Sequence, residues 1–150
     1  MSAYRTIIVG TNGSESSLRA VDRAGAIAGD SGAQLVLACA YYPPSSKETS
    51  VAEEALKSEG WEVHGGAPVF EMLQRARERA AAAGARDVAE RAIIGSPSNE
   101  LLSLAKEMSA DLLVVGNRGV NTMAGRLLGS LPSEVTRKSA CDVLVVHTIG

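Results

Sequence analysis

The sequence predicts an open α/β domain: a five-stranded parallel sheet with helices on both faces. Two features predict it. Apolar runs of strand length recur between helix-length segments, as in a doubly wound sheet. The runs Ile7-Ile8-Val9, Leu112-Leu113-Val114-Val115 and Val143-Leu144-Val145-Val146 are continuous rather than alternating, as expected of strands buried on both faces.

The strands are expected at Thr6 to Gly10, Gln34 to Ala40, Val88 to Ile94, Asp111 to Gly116 and Asp142 to His147. Between the first two, a helix from Ser14 to Ala28 places Leu18, Val21, Ala24 and Ala28 on one stripe and meets stop signals at Gly29 and Gly32. The next helix enters at Pro68, lines Val69, Met72, Leu73, Ala76, Ala80 and Ala83 along one face, and stops at Gly84. Ser96 and Pro97 open a third, as N-cap and first-turn proline, and Leu101, Leu104, Ala105 and Met108 form its buried side. A last helix from Ser130 to Lys138 ends on Arg137 and Lys138, cations that complement its dipole. The stretch from Tyr41 to Gly66, with Pro43-Pro44, room for a short helix at Val51 to Lys57, and Trp61, is a connection of a length that is usually functional or mobile. One domain over residues 1–150 accounts for the whole length.

Composition narrows the function. Lys and Arg number 15 against 17 Asp and Glu, a formal net charge of -2, so no basic field gathers nucleic acid or an anionic membrane. Cys39 and Cys141 lie in separate apolar runs and read as reduced, buried thiols. No apolar run is long enough for a signal-peptide core or a membrane span. A cytoplasmic location is expected.

In such sheets ligands bind beyond the carboxyl ends of the strands, near the point where strand order reverses. Two loops there are unusual: Gly10-Thr11-Asn12-Gly13-Ser14, and Gly116-Asn117-Arg118-Gly119 followed by nine residues and Gly129-Ser130. Glycines let main-chain N–H groups approach an anion, and a helix start at Ser130 adds positive charge. Ser130 could add its hydroxyl, and Arg118 and Arg126 are nearby cations. A single glycine after a strand is usually a turn device. The spacing of several carries the signal.

Gly116-x-x-Gly119, nine residues, then Gly129-Ser130 resembles the nucleotide-binding signature of the universal stress protein family. Ile7 to Ser14 is similar to that family's first strand and loop, Asp111 to Gly116 to its fourth strand, and Val143 to Val146 to its last. The resemblance implies an adenine nucleotide alpha-hydrolase-like fold with strand order 3-2-1-4-5. It implies that Gly116, Gly119, Gly129 and Ser130 surround the phosphates, with Leu131 as a further main-chain contact and Asn117 and Arg118 within the same loop. Asn12 would meet the ribose, with Gly10, Thr11 and Glu15 beside it, and Ala38, Cys39 and Ala40 would lie near the adenine. Members usually dimerise through the last strand, here Asp142 to His147, so a homodimer is implied; an apolar edge strand needs such cover.

Two positions depart from the common pattern. Asn12 stands where Asp is usual, which keeps hydrogen-bonding capacity but removes a negative charge beside a phosphate. Asn12 also precedes Gly13, the dipeptide prone to deamidation. Gly10 stands where many ATP-binding members have proline. Together with Tyr41-Tyr42-Pro43 and Gly65-Gly66-Ala67-Pro68, it resembles the actinobacterial, mycobacterial subgroup that binds cyclic AMP. Cyclic AMP, with one phosphate charge, suits a site without a lysine clamp or magnesium. The ranking is cyclic AMP first and ATP, with or without Mg2+, second, bound by a sensor or buffer in the stress response.

Other classes fit less well. His64 and His147 show no zinc-site spacing, so no metal is expected, and no prosthetic group either. Thr11-Asn12-Gly13-Ser14-Glu15-Ser16 lacks the paired glycines and aspartate of a pyrophosphate-cleaving loop. No base or arginine finger is evident, so hydrolysis of ATP would be weak. A pure interaction module using the dimer surface and the Tyr41 to Gly66 loop is the remaining class.

Overall fold

The computed structural model describes residues 3–41, 66–117 and 130–148. In chain order these form β1 (Thr6–Gly10), α1 (Glu15–Ser31), β2 (Gln34–Tyr41), α2 (Gly66–Ala83), β3 (Asp87–Ile94), α3 (Pro97–Glu107), β4 (Leu112–Gly116), α4 (Ser130–Lys138) and β5 (Asp142–Val146). All neighbouring strands pair in parallel, in the order β3-β2-β1-β4-β5, as expected. The expected short helix at Val51 to Lys57, Trp61, and Arg118, Gly119 and Gly129 of the second loop lie outside the described residues.

The continuous apolar strands are explained by two cores. Ile7, Val9, Leu35, Leu37, Leu112 and Val114 pack with Leu18, Val21, Ala24, Val69, Leu73 and Ala76 on the α1 and α2 side. Ile8, Val36, Ala38, Leu113 and Val115 pack with Leu101, Leu104 and Val135 on the α3 and α4 side. Successive strand residues point to opposite faces, and here each face is covered. Beneath the sheet, the Asp111 carboxylate accepts from the main-chain N–H of Arg5 at 3.0 Å and of Thr6 at 3.1 Å, which pins the start of β1 to β4.

α1 and β5 end elsewhere than expected, and α3 starts where expected but is capped differently. α1 runs through Gly29 and ends at Gly32, whose φ of 68° is the left-handed cap that glycine favours. Gly29 is instead a contact: a Cβ there would lie 2.5 Å from the Gly84 carbonyl oxygen, so the missing side chain lets α1 and α2 cross closely. Ser96 holds the N-cap position of α3, but its hydroxyl makes no capping bond; its carbonyl accepts from Glu100 N–H at 2.9 Å, and Pro97 fills the first turn. β5 stops at Val146, leaving His147 exposed beyond it.

Cys39 is buried, whereas Cys141 is only half-buried, and both are free thiols. Among the described residues no helix is long and apolar enough to cross a membrane.

Replacing Gly29 with valine is expected to force the α1–α2 crossing apart and cost about 2 kcal/mol, as overpacking of a tight contact does. Urea unfolding followed by circular dichroism measures it. An unchanged midpoint would contradict the contact role.

Candidate functional site

Strand order reverses between β1, which leads to β2 on one side, and β4, which leads to β5 on the other. The carboxyl ends of β1 and β4 therefore lie side by side at the point where such sheets bind ligands. Gly10 sits opposite Ala38 in the ladder, and Thr11 N–H continues the pairing to the Ala38 carbonyl at 2.9 Å. This brings Gly10, Thr11, Ala38, Gly116 and Asn117 to the same carboxyl edge.

The first loop is closed on itself. Ser17 Oγ donates to the Ser14 carbonyl at 3.0 Å, so in its 2.9 Å contact with Thr11 Oγ1 the threonine must be the donor. Thr11 Oγ1 then accepts from Gly13 N–H at 3.2 Å, and Ser17 Oγ from Asn12 N–H at 3.3 Å. Asn12 Oδ1 accepts from Ser14 N–H at 3.0 Å, and Ser14 caps α1 by accepting from Ser17 N–H at 3.1 Å. Residues 11–14 have thus committed every main-chain N–H. The expectation that amides of this loop cradle a phosphate meets that constraint: the loop is a preformed wall, and the Nδ2 end of Asn12 is the polar end left over. Gly13 is required twice, by its φ of 84° and because a Cβ would overlap Met72 Sδ of α2.

Gly10 has a similar steric reason. A Cβ at this position would lie 2.8 Å from Leu101 Cδ1, so a leucine of α3 fills the space a larger residue would need. Cys39 points the other way, into the α1 and α2 core; burial pushes its thiol up to about 12, so it remains a neutral wall at physiological pH. Ala40 is buried. Glu15, expected beside the ligand, is held by Arg79, which binds Asp22 Oδ2 at 2.6 Å and Glu15 Oε2 at 3.3 Å. Hydrogen bonds donated to Asp22, then to Glu15, raise the pKa of that guanidinium further above its ordinary value.

The second loop begins with Gly116 and Asn117. Asn117 N–H donates to the Val146 carbonyl at 2.9 Å, extending the β4–β5 ladder. Its Oδ1 accepts from both Thr148 N–H at 2.8 Å and Thr148 Oγ1 at 3.0 Å. Thr148, which sequence reasoning missed, is 3% exposed; Thr11, at 6%, is the other buried polar residue among those described. Ser130 and Leu131 lie in the first turn of α4, as expected. Among the described residues no group of three or more His, Cys, Asp or Glu side chains is placed to hold a metal.

The universal stress protein family profile matches residues 3–147. The chain belongs to the universal stress protein family. A universal stress protein of Mycobacterium tuberculosis is 55% identical over 148 residues, covering 99% of each chain. A putative universal stress protein of Staphylococcus aureus is 33% identical, over 99% of this chain and 87% of its own length. Among solved structures, a universal stress protein in complex with cAMP aligns with a TM-score of 0.77 and 49% identity, over 99% of this chain and 100% of that one. For this universal stress protein, the strand order inferred from its resemblance is the one observed, and the fold agrees with that of the cAMP complex.

Ser17→Ala removes the acceptor of the buried Thr11 hydroxyl and of Asn12 N–H. The expected loss is about 1–3 kcal/mol, the cost of stranding buried polar groups, read as a lower thermal midpoint. An unshifted midpoint would show that the first loop is held by other means.

Proposed function

We propose that this protein binds cyclic AMP at the carboxyl edge of β1 and β4, acting as a sensor or buffer in a stress response rather than as a catalyst. The observation that carries the reading is the pair of glycine-bearing strand ends, Gly10 and Gly116, on either side of the reversal point. The 49% identical structure in complex with cAMP supports it.

In this reading Gly10, Thr11 and Asn12 form the wall that meets the sugar, Ala38 and Ala40 lie toward the base, and the phosphate is met from the other side by Gly116, Asn117, Arg118, Gly119, Gly129, Ser130 and Leu131. The division of labour follows from donor accounting. The first loop has spent its amides, so the phosphate needs the second loop and the positive end of α4. Residues 116–130 contain two arginines and no lysine, which fits one phosphate charge better than the three phosphates of ATP. The homodimer belongs to the same proposal: β5 is an edge strand whose Val145 is 38% exposed, apolar surface that a second copy would cover. A cytoplasmic location agrees with the free thiols.

Isothermal titration with cyclic AMP and ATP tests the ranking. Tighter binding of cyclic AMP is expected; a tenfold preference for ATP, about 1.4 kcal/mol, would reverse it. Gly116→Ala, whose new Cβ would lie 3.3 Å from Thr148 Cγ2, is expected to weaken nucleotide binding. Unchanged affinity would place the site elsewhere.

A further inference from the structure

Among the described residues the two buried polar ones, Thr11 and Thr148, follow β1 and β5, and each is tied to one of two consecutive serines in the first turn of α1. Thr11 pairs with Ser17 and organises the first loop. Thr148 pairs with Ser16 and reaches the second loop. Proton accounting fixes the direction of this second chain. Thr148 Oγ1 gives its one hydrogen to Asn117 Oδ1, so in the Ser16–Thr148 contact the serine donates. Thr148 N–H is a donor only, which requires the oxygen of the Asn117 amide to face it. The Arg19 guanidinium holds the Thr148 carbonyl at 2.7 Å, fixing the segment from its other side. Thr148 also fills the space beside Gly116, with its Cγ2 and Oγ1 nearest the vacant Cβ position.

From this geometry we infer that Thr148 is a positioning residue for the nucleotide: it orients the Asn117 amide so that the Nδ2 end, a donor pair, is presented to the phosphate. The inference rests on the nucleotide-binding reading above. Oδ1, which accepts two donors from Thr148, cannot turn toward the ligand without stranding the buried Thr148 N–H. An amide free to rotate would have to be turned and ordered by the anion as it bound. A fixed one always offers hydrogens. By linkage, a ligand that engages Asn117 must in turn stabilise the Thr148 contacts.

The test uses cyclic AMP on the full chain, titrated well below the unfolding temperature of each variant. Thr148→Val keeps the shape and removes the hydroxyl; its Kd is expected to rise about fivefold, as loss of one hydrogen bond does. Thr148→Ser, which restores the hydroxyl, is expected to return Kd to within about twofold of the parent. A purely structural threonine would lower the thermal midpoint in Thr148→Val and leave affinity unchanged, and that outcome overturns the inference. Should Thr148→Val not fold, amide exchange on the unaltered protein decides: saturating cyclic AMP is expected to slow exchange of the Thr148 N–H, and an unaltered rate overturns the inference. If the unaltered protein fails to bind cyclic AMP, the functional reading falls and this inference falls with it; if it binds equally in all three forms, only the role of Thr148 falls.

Discussion

The first turn of α1 is the constraint on which the carboxyl edge of the sheet depends. Ser16 and Ser17 lie side by side in sequence but serve different loops, one through Thr148 and Asn117, the other through Thr11 and Asn12. Both threonines are buried, and a buried hydroxyl without a partner costs more than the bond itself contributes. The loops are therefore coupled to one helix terminus rather than free to settle independently. α1 in turn is fixed by its close crossing with α2, where Gly25 and Gly29 bring the backbones together, and by the Arg79 fork that spans Glu15 and Asp22.

This arrangement gives the crevice two unlike sides. Around β1, the main-chain N–H groups of residues 11–14 all have partners, so that side offers shape, the nitrogen end of the Asn12 amide and the start of α1. Around β4, Asn117 carries on the ladder beyond the strand and α4 starts at Ser130, and the start of a helix favours an anion. A nucleotide has the same asymmetry, with a neutral base and sugar at one end and a charged phosphate at the other. Leu101 beneath Gly10 narrows the first side further and gives a steric reason for glycine at that position.

Much of this was legible in the sequence, because the strongest patterns report burial. Ile7-Ile8-Val9 had to be a strand covered on both faces, and the two cores that share its residues bear this out. Glycine was harder to read. Gly29 and Gly32 look alike as helix stops, yet only Gly32 has the left-handed backbone; the role of Gly29 depends on Gly84, just past the end of α2, a contact that no local pattern reveals. Thr148 was invisible for the same reason. Its partners Asn117, Arg19 and Ser16 lie 31, 129 and 132 residues away, and nothing adjacent marks a threonine after the last strand as buried. Of the site residues read from the sequence, Glu15 is engaged by Arg79 and the Cys39 side chain enters the core, so their proximity to the crevice reflects backbone position more than chemistry.

The central claim is that an adenine nucleotide lies in the crevice between the ends of β1 and β4, with its phosphate on the β4 side. Backbone amide chemical shifts followed by NMR during a cyclic AMP titration test it most directly. The account predicts saturable shifts concentrated at Gly10 to Ser14, Gly116, Asn117 and the first turn of α4. Saturable shifts confined to the opposite end of the sheet, around Ser109 and Cys141, would contradict it.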